Sequence, residues 1–338
     1  MILGLTIILI FVLFLPFTVK VVERNLEAFL FIMGLAAAAI SQVLTGSLFT
    51  KALVDPINIT LAVLIAGLLF KWLQDPLEKG ILGMSKAIPF RLFIALVVII
   101  LGLISSIITA IIAAIALVVI VSVLRLDRRS EIRLVILACF SIGLGAALTP
   151  IGEPLSTIAV SKLDESFFFL LKLIGPDVIP AVLIFAVLAA IMVKPMQSEH
   201  GLTAKQQTEN YKEIIIRSLK VYLFVMGLTL LGAGFEPFIE RYLLGLSPLV
   251  LYWINMISAV LDNATLAAAE ISPMMDAPTL KAILLGLLIS GGMLIPGNIP
   301  NIIAAGKLNI TSREWARFGV PVGLIAMVAY FIVILIFG

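Results

Sequence analysis

The sequence predicts an all-α polytopic membrane protein built on inverted repeats, each with a re-entrant hairpin and a discontinuous transmembrane helix. Three observations predict this class. The 338-residue chain is 62% hydrophobic and 13% charged, with a mean hydropathy of +1.22, which leaves too little polar surface for a soluble chain of this size. Its apolar runs reach the about 18 residues that cross a roughly 30 Å hydrocarbon layer, and they lack the two-residue alternation of a membrane β-barrel. Four longer apolar stretches are interrupted by polar or glycine–proline segments, and the interruptions match in pairs.

Each element follows from its own stretch. Residues 2–19 lack a charged start and a small-residue cleavage site, so they are expected to stay as a helix rather than leave as a signal peptide. Continuous apolar runs predict spans at 27–48 and 56–73. The stretch 91–124 is 34 residues long, too long for one ordinary span, and carries LISSIITA at its middle. Lys86 and Arg91 precede it and RLDRR follows, so it reads as a hairpin that enters and leaves by one face. Residues 134–166 read as a broken crossing helix and 175–194 as a plain span. The polar linker 195–214 separates an N-terminal half, 1–194, from a C-terminal half, 215–338. The linker holds the lone His200, a solvated residue on this reading, and the single Cys139 excludes an intramolecular disulfide. A span at 215–234, a second hairpin at 242–273, a second broken helix at 280–308 and a last span at 316–337 complete the chain.

This topology puts both termini outside and the linker in the cytoplasm, at the cell membrane. Of the lysines and arginines, 18 then fall on the cytoplasmic side and 5 outside, in the direction of the positive-inside rule. Lys162 and Lys307 lie near helix ends, where they can snorkel. Two full passes per hairpin would keep the same sidedness, so charge fixes orientation and leaves hairpin depth open.

The interrupted stretches pair. SSIITAIIAA (105–114) aligns without gaps on SAVLDNATLA (258–267), and GAALTPIGEPLSTIAVSKL (145–163) resembles GGMLIPGNIPNIIAAGKL (291–308) with one residue of slippage. The separations are 153 and 146 residues, in the same order within each half. One hairpin opens to the cytoplasm and the other outward, so the repeats are inverted. Inverted repeats with discontinuous helices meeting near mid-membrane are a secondary-transporter architecture.

The breaks carry the chemistry. Pro150, Gly152 and Pro154 interrupt the first broken helix; Pro296, Gly297 and Pro300 interrupt the second. Proline removes an amide donor and glycine lets the backbone open, and the freed amides and carbonyls must face protein, water or an ion. Helix N-termini favour anions and carbonyl ends favour cations. An ionisable residue within a membrane is expensive and marks a functional site by default. Asp262 at one hairpin tip and Glu153 in the facing break are therefore candidate Na⁺ ligands or proton carriers. Thr109, Ser105 and Ser106 from the first tip, Ser258, Asn263 and Thr265 from the second, and Thr149, Asn298 and Asn301 from the breaks are candidates to complete the set. The competing reading gives both acids a structural role, tied down by hydroxyls and backbone amides. Glu270, two turns beyond Asp262 and near the outer end of the hairpin, falls outside the expected site.

SAVLDNATLAAA and ALTPIGEPLST resemble two signatures of the ion transporter superfamily, especially its NhaD-type sodium/proton antiporters and related cation transporters. The antiporters carry an S-x-x-x-D-N hairpin motif, matched by Ser258, Asp262 and Asn263. Their T-P-I-G-D break is matched by Thr149, Pro150, Ile151 and Gly152, with Glu153 in place of Asp. The first hairpin has Thr109 and Ala110 where the second has Asp262 and Asn263, and neither tip carries the serine-asparagine-threonine signature of the superfamily's symporters. The resemblance implies a homodimeric scaffold around which a transport unit, 91–166 with 242–308, moves like an elevator.

Two buried acids with no Lys or Arg in either tip or break point to a cationic substrate. Desolvation raises a carboxylate pKa and a bound cation lowers it, so one site can hold H⁺ or Na⁺ and exchange them. Carboxylate, hydroxyl and carbonyl oxygens suit a hard cation. The expected function is exchange of Na⁺ or Li⁺ for protons by alternating access. Na⁺-coupled transport of a small anion or carboxylate is the alternative, with half-helix N-termini replacing a basic partner, and arsenite efflux a third. No nucleophile or metal cluster argues for an enzyme. No cofactor or nucleic-acid partner is expected; the partners are a small cation, protons, lipid and a second copy of the chain.

Overall fold

In the computed structural model the described residues are 1–124, 126–195, 211–242, 246–261, 263–271 and 275–337, and among them are helices and turns but no strand. The N-terminal half forms α1 (Ile2–Thr18), α2 (Lys20–Arg24), α3 (Leu26–Ile40), α4 (Gly46–Ala87), α5 (Phe90–Ile108), α6 (Ala110–Leu124), α7 (Arg128–Ala146), α8 (Pro154–Leu163) and α9 (Phe169–Met192). The C-terminal half forms α10 (Tyr211–Tyr242), α11 (Pro248–Ile254), a 3-10 turn (Asn255–Ala259), α12 (Asn263–Glu270), α13 (Ala277–Gly291), a second 3-10 turn (Ile295–Gly297), α14 (Ile299–Leu308) and α15 (Ser312–Phe337). Four helices among these residues are long and apolar enough to cross a membrane: Phe90–Ile108, Phe169–Met192, Tyr211–Phe238 and Ser312–Ile336. The class is an α-helical membrane protein, where helix satisfies every backbone group without water.

The helices depart from the apolar runs in three places. The run 27–48 stops being helical at Ile40, where Gln42 adopts φ 58° and the Ser41 hydroxyl donates to Gly234 O. The run 56–73 lies inside the 42-residue α4, about 63 Å long at 1.5 Å per residue and so about twice the hydrocarbon thickness. Thr45 starts that helix by accepting from Leu48 N at 3.2 Å. The two hairpin stretches also differ from each other. The first is two long helices joined at Thr109, whereas the second has the short α11 and a 3-10 turn as its first arm. The turn forms where Asn255 and Ser258 break the apolar run, and its Asn255 carbonyl is taken up by the Ser290 hydroxyl at 2.6 Å.

The helices sort into two packed groups. In one, α3 and α4 pack on α10. A Cβ on Gly34 would lie 2.5 Å from Gly227 O, and one on Gly227 would lie 2.6 Å from Phe31 N, the close backbone approach that small residues permit between membrane helices. In the other group α5, α7 and α9 pack together, and α11, α13 and α15 pack together. α7 and α13 sit at its centre: α7 is buried continuously from Leu134 to Ala146 and α13 from Ala282 to Gly291. Arg128 joins the halves, reaching Leu308 O at 3.0 Å, Asn309 O at 2.8 Å and the Glu314 carboxylate at 2.9 Å. Its guanidinium thus sits on the carbonyl end of α14, where positive charge is favoured. Lys281 meets Asp177 at 2.8 Å and ties α13 to α9.

Candidate functional site

The first break opens where α7 ends at Ala146 and closes where α8 begins at Pro154, a residue suited to the first helical position. Between them the Thr149 hydroxyl donates to Ser106 O and its oxygen accepts from Ile151 N at 3.3 Å. Ala110 N donates to Gly152 O at 2.8 Å, so the N-terminal ends of α6 and α8 meet. Ser105 donates to Ile142 O at 3.0 Å, and Ser106 to Leu103 O at 2.7 Å. These hydroxyl hydrogens hold the hairpin to α7 and to itself. Glu153 is the residue before α8, with an extended backbone and only 6% exposed. There the partial positive charge of the helix N-terminus favours a carboxylate.

The second break has the same construction. The Ser258 hydroxyl donates to Leu287 O at 3.2 Å. Asn301 Nδ2 donates to Gly291 O at 2.8 Å and Leu294 O at 2.9 Å, closing carbonyls at the end of α13. Pro296 lies in the 3-10 turn and Pro300 in the first turn of α14.

The two breaks correspond residue by residue at a fixed separation of 145. Ala146 and Gly291 end the first half-helices, and Gly152 and Gly297 pack on the carbonyls of those two residues. Glu153 and Asn298 precede the second half-helices at φ −155° and −154°, and Asp164 and Asn309 terminate them at φ 52° and 51°. Ser105 and Ser258, 153 apart, each bond a carbonyl of the neighbouring half-helix, at Ile142 and Leu287, which are again 145 apart. The separation of 146 read at the start of the sequence alignment therefore moves by one residue. The geometry pairs Glu153 with Asn298, Ser156 with Asn301, and Pro150 with Ile295 rather than Pro296.

The breaks are also interlocked. α6 packs on α14 and α12 on α8, so each hairpin's second arm lies on the helix after the other break. Lys162 Nζ donates to Ile271 O at 3.5 Å, which puts the C-terminal ends of α8 and α12 together and leaves Glu153 and Asn263 at the opposite end of that pair. Asn298 Nδ2 lies so close to α7 that a Cβ on Gly143 would be 2.5 Å away. Asn263 is 4% exposed, and its Nδ2 finds no acceptor among the described residues. Asp262 lies outside the described residues, as does the side chain of Thr265. Thr109 forms the first tip at φ 79° and ψ 150°. Ser105, Ser106 and Thr149 thus gather at the first break, Ser258 and Asn301 at the second, and Asn298 reaches from the second onto α7.

Among the described residues no three His, Cys, Asp or Glu side chains form a metal cluster. The interlocked breaks form a crossing whose described residues include one carboxylate, Glu153, with hydroxyl, carboxamide and backbone groups on the two loops. Sequence reasoning set Glu270 outside the expected site and missed Asn255; both are fully buried. Their signal was a polar pair on either side of the Asp262 tip, masked by the position of Glu270 near the end of an apolar run. No curated protein matches the chain. Residues 2–337 match the family described as "Protein of unknown function (DUF1646)", and the chain belongs to that family.

Proposed function

We propose that this protein is a secondary transporter that exchanges a small cation, Na⁺ or Li⁺, for protons by alternating access. The observation that carries the reading is the pair of matched breaks, Ala146 to Asp164 and Gly291 to Asn309, set in a buried centre with interlocked neighbours. On this reading the halves are inverted repeats and the stretches 91–124 and 242–273 are re-entrant hairpins, with Asp262 and Glu153 converging on one cation. The site would hold either protons or the cation, since the two compete for the same desolvated carboxyl oxygens. A dehydrated Na⁺ replaces those protons and takes its remaining ligands from hydroxyl and carbonyl oxygens. Competition at one site gives exchange without a separate coupling device. A homodimer through the α3, α4 and α10 group belongs to the same reading.

A second reading, Na⁺-coupled uptake of a small anion, draws on the meeting of the α6 and α8 N-termini and on the uncharged Asn298 that starts α14. Purified protein in liposomes with an internal pH-sensitive dye separates the two. Na⁺ or Li⁺ gradients should drive proton flux, and K⁺ and Ca²⁺ should not. Asp262→Asn should lower that flux about 100-fold or more, the scale of removing a charged ligand that contributes about 3 kcal/mol, with the protein still folded. Near-normal flux in Asp262→Asn would remove it from the site. Unchanged Na⁺ affinity and pH dependence in both Glu153→Gln and Glu153→Asp would reduce Glu153 to a structural residue. Anion uptake driven by Na⁺, without cation-dependent proton flux, would select the second reading.

A further inference from the structure

We propose that Glu270 and Asn255 form a proton-binding site separate from the crossing, in which Glu270 is held as the neutral acid in this conformation. Its place in a transport cycle rests on the exchange reading; the protonation itself rests on local geometry. Glu270 is the last residue of α12 and is 0% exposed. Asn255, also 0% exposed, places its carboxamide beside it. Asn255 Nδ2 is directed at Ile283 O, 3.5 Å away. Both carboxyl oxygens of Glu270 and the Oδ1 of Asn255 lack a hydrogen-bond donor of acceptable geometry among the described residues. Three buried oxygens thus have no donor among the described residues.

An ionised carboxylate only accepts hydrogen bonds, whereas a protonated one carries an O–H donor. A buried, unpaired carboxylate is costly, and this one sits at the carbonyl end of α12, where the helix dipole adds to the repulsion. One proton removes the charge and turns the carboxyl into a hydrogen-bond donor. Among the described residues the surrounding charges do not replace it. α12 packs on α8, α10 and α13. From α8, Lys162 directs its ammonium to Ile271 O, and Glu153 lies at the helix's far end. From α13, Lys281 is paired with Asp177. From α10, Lys220 is paired with Glu27, and Lys212, Glu213 and Glu236 are exposed. Glu270 lies seven positions along α12 from Asn263, about 10 Å at 1.5 Å per residue, so the site is distinct from the crossing and beyond the reach of a direct proton transfer.

Infrared difference spectroscopy of the full-length protein in lipid at neutral pH tests the assignment. The wild type should show the carbonyl band of a protonated carboxyl in apolar surroundings, shifted in deuterium oxide, and Glu270→Gln should lose that component. Because Gln copies the neutral acid, Glu270→Gln should fold with an unchanged Tm, while Glu270→Asp, which withdraws the group from Asn255, should lower it. An absent band, or a Glu270→Gln protein that fails to fold, overturns the proposal. So does a Tm that Na⁺, K⁺ or Ca²⁺ raises in the wild type and not in Glu270→Gln, since the pocket would then hold a metal cation. Liposomes without cation-driven proton flux would end the exchange reading and leave the band standing; a missing band with intact flux would end this site alone.

Discussion

Thr109 is the whole of the connection between α5 and α6, and its backbone lies at φ 79° and ψ 150°. That region belongs to glycine, and a β-branched residue there carries about 1–3 kcal/mol of strain. The return is local: its side chain accepts from Ile112 N at 3.4 Å and its carbonyl accepts from Ala113 N at 3.2 Å, so it also starts α6. Thr109→Gly removes the strain, gives up one long capping bond and adds about 0.5–1 kcal/mol of unfolded-chain entropy. The expected net is a gain of about 1 kcal/mol, read as a higher denaturation midpoint in detergent; a loss of that size would show that the capping bond outweighs the strain. The sequence marks Thr109 as an oxygen-bearing tip residue because it aligns with Asp262, but φ is invisible where no glycine stands at the turn. Glu153 was legible for the opposite reason. It is a charge between two prolines in a chain with few charges, and its burial follows from that setting.

At the scale of elements, the breaks were legible because proline and glycine punctuate an otherwise uniform hydrophobic pattern. Their register was not. The sequence aligns Gly145 with Gly291, whereas the caps align Ala146 with Gly291 and Gly145 with Ser290. The physical reason lies in what each position touches. Gly145 packs on the Gly102 carbonyl of α5, and Ser290 donates to the Asn255 carbonyl of the first 3-10 turn. Position 102 and position 255 are themselves separated by 153, the spacing of the hairpin alignment. One half therefore meets the carbonyl with bare backbone and the other with a hydroxyl, and identity matching follows the wrong glycine. The contact makes a prediction. A Cβ on Gly145 would lie 1.8 Å from Gly102 O, so Gly145→Ala must push α5 from α7 and should cost about 1–3 kcal/mol or more. Gly306 in α14 has nothing within 4 Å of its Cβ position, and Gly306→Ala should stabilise by about 0.5–1 kcal/mol through helix propensity. Thermal unfolding of the two variants side by side should move in opposite directions. Equal shifts would mean that α5 and α7 do not approach this closely.

For the whole molecule, the sequence assigned 91–166 and 242–308 to one unit and left the other helices as its surroundings. The packing adds α9 and α15 to that unit, since α9 lies on α5 and α7, and α15 lies on α13. These partners are distant in the chain and carry no local signal. The group of α3, α4 and α10 is bound within itself by polar contacts: Glu27 to Lys220, Tyr222 to Leu53 O, and Ser41 to Gly234 O. Where it meets the other group the character changes. Ala114 of α6, Val221 of α10 and Ile303 of α14 form a small apolar cluster of their own, flanked by Ile111, Ile115, Val225 and Ile299. A surface of aliphatic side chains has no directional bonds to break, so one group can slide on the other at little cost beyond repacking, whereas a polar interface would fix the register. Under the transport reading this favours translation of the hairpins and breaks as one body over rocking about a fixed site. The test places single cysteines at Ile107, 68% exposed beside the first tip, and at Val54 of α4, 53% exposed, on a Cys139→Ser background. Spin labels on the pair report distance, and membrane-impermeant reagents applied from each side report access to position 107, with and without Na⁺. Translation requires the 107–54 distance to change by several ångströms along the membrane normal as access switches sides. If access switches while the depth of position 107 stays fixed, the helices rock, and the apolar seam between the two groups is only packing.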